Sequence, residues 1–414
     1  MREAVLPALV LVLASSTLPP ETITFDEAVR RGLEHNRDVA EAAAAILRAE
    51  ALLQRARSAI LPSAEVVATE TVLDEERGFG TTVVQPKRQF ALRPTATVPV
   101  LVPAAWAART HAKDQVHVAQ VAAADVRKQV AVSIAQAYLE VIAAGRQLEV
   151  DRRARDTAQA QVDYADTRLA GGAGSKLNAL RAAEVLQTDQ VLLERSQYAQ
   201  RLAQEALGVL VAADKPLAAI EEPEFSVPPP EEAGPLTIRT DIALLSATRD
   251  AAERLWRDSW KEWLPRVEAS FDPAYVDPAG AFEQERTWRA QLELRVPLYS
   301  GGALRAERNL RAADYQTAQL ELEEAELRAR SEARSAREAV EAAIRGEAAA
   351  RQAADHAAEV LNITDIAFHA GATTNIELID AQRRARDSAS AAARAADLLR
   401  LAQLELLVAL GRFP

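Results

Sequence analysis

The chain contains no cysteine, so disulfides, thiol nucleophiles, sulfur-ligated metals and lipid attachment through cysteine are all excluded. The same absence fits an oxidising compartment, where stray thiols are a liability. Aromatics are scarce, 5% of residues against 49% hydrophobic. Much of the apolar content is alanine, which together with leucine, glutamate, arginine and glutamine makes long, closely packed helices. No stretch approaches the ~20 apolar residues of a membrane helix. Basic clusters are missing and the net charge is −11, which argues against a nucleic-acid partner. Groups for catalysis are also lacking. Ser15, Ser175 and Ser300 have no His/Asp constellation, and no glycine run has phosphate-loop spacing. The five histidines, His35, His111, His117, His356 and His369, show no ligand spacing. The residues therefore point to no enzyme, no cofactor and no metal.

Proline is absent from 104 to 215 and from 298 to 413. Because proline lacks an N–H and clashes with the preceding turn, these are two helical tracts. Each is broken once, at Gly171-Gly172-Ala173-Gly174 and at Ala370-Gly371-Ala372. The arm from Ala104 to Ala170 would run about 100 Å at 1.5 Å per residue, and the arm from Ala303 to Ala370 is nearly as long. An earlier helix opens at Thr24-Phe25-Asp26-Glu27, which has capping-box spacing, and continues to Leu61-Pro62.

Between the helices the period changes to two. Val267, Ala269 and Phe271 alternate with Arg266, Glu268, Ser270 and Asp272. Trp288, Ala290, Leu292, Leu294, Val296 and Leu298 alternate with Arg289, Gln291, Glu293 and Arg295. Each set is a strand with one apolar and one polar face. The same design recurs earlier, with Phe90, Leu92, Ala96, Val98 and Val100 on one side and Gln89, Arg93, Thr95 and Thr97 on the other. A fourth strand, Ala64 to Leu73, has a blurred alternation, since Glu65 and Glu70 fall on opposite faces.

Four landmarks repeat at near-constant offset: Leu61-Pro62 with Leu264-Pro265, Val98-Pro99-Val100 with Val296-Pro297-Leu298, Gly172 with Gly371, and Leu207-Gly208 with Leu410-Gly411. The offsets are 203, 198, 199 and 203 residues. This is a duplicated helix–hairpin–long helix–turn–helix unit. The expected division is a signal peptide at 1–14, whose apolar run from Ala4 to Ala14 is too short to span a bilayer; a first repeat at 15–212 with strands at about 64–73 and 89–101; a Pro/Glu-rich linker at 213–236; and a second repeat at 237–414 with strands at about 266–275 and 287–298.

Strands of about ten residues with one apolar face suit a tilted bilayer crossing. Four strands cannot close a barrel, and an open edge in lipid leaves backbone groups unsatisfied, so several copies must share one barrel. Trp106, Trp256, Trp260 and Trp263 fall at the helix-side strand ends, where they suit an interfacial aromatic belt. The spacing of 256, 260 and 263 also fits a buried helix stripe. The acidic run Asp74-Glu75-Glu76 reads as an exposed loop.

The layout resembles the outer-membrane efflux protein family, the TolC-like channels of Gram-negative bacteria. The resemblance rests on TFDEAVRRGLEHNRDV (Thr24–Val39), the Leu-Pro before each hairpin, VPLYSGG (Val296–Gly302), RTDI (Arg239–Ile242) and the turns GGAGSKLNALRAAE and GATTNIELIDAQ. It implies a mainly α protein with a transmembrane β portion: a homotrimer whose 12-stranded β-barrel, four strands per protomer, continues into a periplasmic α-helical barrel. It also implies a passive exit duct of a tripartite efflux pump or type I secretion system. Outer-membrane lipid would surround the strands, and a periplasmic adaptor (membrane fusion) protein and an inner-membrane transporter would be its partners. The tip turns Gly171, Gly172, Gly174, Ser175, Gly371, Thr373 and Thr374 would meet the adaptor. Trp106, Trp260 and Trp263 would mark the membrane interface. Glu377 and Asp380 match an acidic pair that lines the periplasmic aperture; tripled, they would form a ring of carboxylates favouring cations, with some pKa values raised by crowding. An ordinary solvated face, with Asp380 paired to Arg383 or Arg384, is the alternative. Where some members tie the tips closed with a Tyr, an Arg and an Asp, this chain has Phe368, Thr373 and Asn178, so packing and the carboxylates are expected to hold the aperture. A periplasmic coiled-coil adaptor or scaffold without membrane strands would also explain the helices, but it leaves four apolar strand faces in water.

Overall fold

A computed structural model describes residues 20–228 and 239–413; the expected signal peptide and residues 229–236 of the expected linker lie outside the described residues. In chain order the elements are β1 (Glu21–Ile23), α1 (Phe25–His35), α2 (Arg37–Ser58), β2 (Ser63–Val72), β3 (Arg77–Phe79), β4 (Thr82–Gln85), β5 (Arg88–Leu101), α3 (Pro103–Ala170), α4 (Lys176–Leu210), β6 (Leu217–Ala219), α5 (Thr240–Arg257), a 3-10 turn (Asp258–Trp263), β7 (Arg266–Asp277), β8 (Arg286–Arg295), α6 (Ala303–His369) and α7 (Asn375–Ala409). They form two compact units. Among the described residues, a helical unit comprises 20–39, 127–228 and 331–413, and a strand unit comprises 40–126 and 239–330.

In the strand unit, β2, β5, β7 and β8 make one antiparallel sheet in that order. The two hairpins join through β5 and β7, and β2 and β8 are left as edges. β3 and β4 form a separate small hairpin. It docks on the β7–β8 loop, where Ala281 N–H donates to the Val83 carbonyl at 2.9 Å. Gly280 permits this approach, because a Cβ there would lie 2.0 Å from the Val84 carbonyl oxygen. β8 ends at Arg295, three residues before the expected Leu298. Pro297 has no N–H to continue a ladder. Ile242, Leu322 and Ala329 form an apolar cluster under α5. The RTDI stretch starts α5: Arg239 holds both oxygens of Asp241 at 3.1 and 2.7 Å, and the Thr240 hydroxyl donates to Asp125 at 2.6 Å.

In the helical unit, the alanines of α3 let other elements approach closely. Ala131 and Ala135 are fully buried with Leu404 of α7, and Phe413 closes the cluster. Tyr138 is fully buried beside it; its hydroxyl reaches the Ile23 and Glu221 carbonyls at 3.2 and 3.1 Å. Phe25 meets Tyr138 edge-on at 5.4 Å and Phe225 at 5.8 Å. Burying one such leucine or phenylalanine stabilises by about 1.5–3 kcal/mol. The parallel pair of β1 and β6 and the segment after it are therefore anchored to α3. Glu222 in that segment pairs with Arg146 of α3 and Arg400 of α7.

One expected helix is two. The chain leaves helical geometry at Asn36 (φ −65°, ψ 138°). Its side-chain oxygen accepts from Asp38 N–H at 2.8 Å, capping α2, and its amide donates to the Leu210 carbonyl at 3.0 Å. Asparagine competes for backbone groups in this way. At Thr24 half of the expected capping box forms: its hydroxyl accepts from Glu27 N–H at 3.3 Å, while the Glu27 carboxylate turns to Arg30.

Candidate functional site

The sheet is the first candidate site. Its register assigns every side chain to a face. Val98, Ala269 and Leu292 lie in one row, and Ala96, Phe271 and Ala290 in the next. Ala64, Val66 and Ala68 of β2 share that face, because Ala64 stands opposite Ala96 and Ala68 opposite Leu92. The other face carries Glu65, Thr69, Arg93, Thr95, Thr97, Glu268, Ser270, Asp272, Arg289, Gln291 and Glu293. The blurred alternation of β2 is explained by position. Glu70 sits on the apolar face but opposite Phe90, near the loop end, where it pairs with Arg88 at 2.6 Å. The strands are 10, 14, 12 and 10 residues long, enough for tilted bilayer crossings of about 9–11 residues each. Among the described residues, no helix is long and apolar enough to cross a membrane.

Trp106 in the first turn of α3, and Trp260 and Trp263 in the 3-10 turn, are each about half exposed. A spacing of three residues stacks 260 and 263 on one side of a 3-10 turn. Trp256 departs from the belt expectation: it stacks on Tyr315 of α6 with ring centroids 5.6 Å apart and planes at 5°. The turn is held by charge. Asp258 accepts from His111 at 3.1 Å and from Lys261 at 2.7 Å, and Arg311 pairs with Glu262 at 2.6 Å. Burial lowers the His111 pKa, while Asp258 pulls it the other way.

The helical tips are the second site. The two turns are built alike. Gly172 (φ +74°) and Gly371 (φ +76°) adopt the left-handed conformation that favours glycine. Ala173 N–H donates to the Arg168 carbonyl and Gly172 N–H to that of Leu169; Ala372 and Gly371 repeat the pattern on Ala367 and Phe368. Both helices thus end in Schellman motifs. Ser175 and Thr374 then cap α4 and α7. Gly174 is required for space, since a Cβ would lie 2.6 Å from the Leu169 nitrogen.

Glu377 closes a full capping box. It accepts from Thr374 N–H at 3.0 Å and from the Thr373 hydroxyl, and its own N–H donates to the Thr374 hydroxyl. These hydrogen bonds, the Thr373 hydroxyl first, hold its pKa below the usual carboxylate value. Within one protomer the shift is downward, opposite to the expected crowding effect. Asp380 pairs with Arg384 at 2.9 Å, as in the solvated-face alternative. Asn178 donates its N–H to the Ser175 carbonyl at 3.0 Å.

The sequence reading overlooked what joins α3 to the second turn. Tyr164 packs on Phe368 at 5.8 Å and on His369 at 4.7 Å, with Arg168 over its ring. Gln161 donates to Asn375 at 3.2 Å, both buried, and Leu378 is fully buried. Tyr164 was detectable as an isolated aromatic about two turns before a tip; Gln161 and Asn375 carried no such signal. Among the described residues, no group of three or more His, Asp or Glu is placed to hold a metal ion.

The described residues thus hold an antiparallel sheet with one apolar face and two edge strands, and long helices that end in capped turns. The family model for outer membrane efflux protein matches residues 28–213 and 236–412, and the chain belongs to that family. Three solved structures show the same fold. The outer-membrane protein VceC of Vibrio cholerae is 20% identical, with TM-score 0.78, covering 94% of this chain and 96% of that one. The CmeC outer-membrane channel of Campylobacter jejuni is 15% identical, with TM-score 0.82, covering 100% and 94%. The MtrE outer-membrane channel of Neisseria gonorrhoeae, solved in its open state, is 18% identical, with TM-score 0.77, covering 94% and 88%. No curated protein sequence matches at the significance threshold. The protein is an export channel of the outer membrane.

Proposed function

We propose that three copies of the chain close one 12-stranded barrel and act as a passive exit duct, engaged at the helical tips by a periplasmic adaptor that links it to an inner-membrane transporter. One observation carries the trimer: β2 and β8 end a sheet whose apolar face belongs in lipid, where an unpaired edge costs several kcal/mol per unsatisfied group. Pairing β8 of one copy with β2 of the next removes both edges at once. The signal peptide at 1–14 delivers the chain, and the repeats at 15–212 and 237–414 each supply one hairpin and one tip. Trp106, Trp260 and Trp263 anchor the periplasmic membrane interface.

The tips are the docking surface. The turns at Gly171–Ser175 and Gly371–Thr374 are hydrogen-bonded alike and capped, as two equivalent adaptor contacts require. Glu377 and Asp380 lie one turn apart on α7 and contribute acidic charge near the aperture. Capping keeps Glu377 ionised, while the Arg384 guanidinium offsets the charge of Asp380, so the ring would be weaker than six free carboxylates. The absence of cysteine makes the trimer directly testable. Single cysteines at Ala64 on β2 and at positions 290–294 on β8, combined in pairs, should yield disulfide-linked dimers and trimers in outer membranes for at least one register. A full panel that stays monomeric on oxidation would refute the shared barrel.

A further inference from the structure

The apolar face of the sheet is not flat. β5 and β7 pair at Leu92–Tyr275 and again, in the same register, at Ala96–Phe271. This places Pro94 across from Pro273, and neither has an N–H to give to a ladder. A groove of about 580 Å³ opens there, between the ring edges of Phe271, Tyr275 and Trp288 and the side chain of Leu92. Its loop-side rim carries Arg286, whose guanidinium lies over the Tyr275 ring at 6.0 Å. The charge there is unbalanced. Arg88 is paired with Glu70, whereas Arg286 has no carboxylate at ion-pair distance among the described residues. Trp288, beside it on the same face, is 71% exposed.

We infer that this groove is a lipid site: it holds an acyl chain of a phosphorylated outer-leaflet lipid, whose phosphate pairs with Arg286. The inference rests on the membrane reading of the sheet. Three features select this occupant. The apolar walls, with Leu92, Phe271 and Trp288 among them, suit a hydrocarbon chain. An arginine at the strand end sits at headgroup depth, where a charge is far better tolerated than at the midplane. A guanidinium held over an aromatic ring keeps its donors in one plane for a phosphate fork. The loop ends of the strands face away from the helices, so the rim meets the outer leaflet, whose lipid in the Gram-negative envelope is acylated, phosphorylated glucosamine.

The test is native mass spectrometry of the full detergent-extracted oligomer with two added probes, bisphosphorylated lipid A and phosphatidylethanolamine. The wild type should bind lipid A at least tenfold more tightly. Arg286→Gln should reduce that preference to within about twofold while the oligomer stays intact, and Trp288→Ala should weaken both lipids. Gln291→Ala, on the polar face of the same strand, should change neither. Equal binding of the two lipids by the wild type, or an unchanged preference in Arg286→Gln, overturns the inference. So does an Arg286→Gln oligomer that falls apart while its remaining intact fraction still prefers lipid A, because the arginine then serves subunit contact. A chain that never reaches a membrane fraction would instead refute the channel reading itself.

Discussion

Leu292 and Gln291 are neighbours on β8 whose side chains point to opposite faces, and arginine at each should have opposite consequences. Leu292 lies opposite Ala269, in the middle of the apolar band between Leu294 and Trp288. Arginine at the midplane of a lipid-facing barrel surface costs about 2–4 kcal/mol. In the proposed trimer three such sites, if independent, would add to about 6–12 kcal/mol. That matches the whole stability of a typical domain, about 5–15 kcal/mol. Leu292→Arg should therefore abolish assembly or lower the dissociation temperature of the oligomer in lipid vesicles by well over 10 °C. Gln291 lies opposite Ser270 on the polar face, where a surface substitution is worth about ±0.5 kcal/mol, so Gln291→Arg should leave the dissociation temperature within a few degrees of wild type. Equal loss in both variants, or greater loss in Gln291→Arg, would show that the face assignment is wrong.

Tyr138→Phe removes the phenol that serves the Ile23 and Glu221 carbonyls and should cost about 1–2 kcal/mol, read from denaturant midpoints. Thr374→Ala removes the cap of α7 and should cost about 1 kcal/mol, seen as faster hydrogen exchange confined to the second tip. The Glu377 pKa lies below its unfolded value. Its stabilising contribution is thus complete above about pH 4.3 and is lost as pH falls through the lower folded value; Glu377→Gln should flatten that dependence in exchange rates at the tip. For His111 the folded value is also lowered, so its contribution is complete above about pH 6.5 and is lost on acidification. A His111→Gln variant should unfold with less pH dependence between 7 and 5. Gly174→Ala should destabilise the first tip through backbone contact at 2.6 Å. Gly346→Ala, with open space around it in α6, should raise the melting temperature, since alanine is favoured over glycine in a helix by about 1 kcal/mol.

The sequence exposed what depends on period and punctuation. The strands of the sheet, the long helices and the tip turns all follow from alternation, proline-free tracts and glycines. The order β2-β5-β7-β8 did not follow, because pairing between hairpins about 170 residues apart leaves no local signal. Asn36 hid a helix break inside an apolar periodicity that continues on both sides of it. The short pair β1–β6 was invisible for the same reason as the sheet order. At the tips, Glu377 was legible as an acid on the right face. Its capping role is readable too, from Thr374 three residues before it, the spacing of a capping box. Tyr164 and Gln161 were missed because their partners lie on another helix, about 200 residues away.

Native mass of the 414-residue chain, after extraction from fractionated membranes of a Gram-negative host, tests the shared barrel most directly. Each chain has a mass of 44.8 kDa. The expected result is a single species of three copies, found in the outer-membrane fraction and soluble only in detergent. A monomer or dimer there would contradict closure by three sheets, and a detergent-independent species in the periplasmic fraction would contradict the membrane sheet altogether.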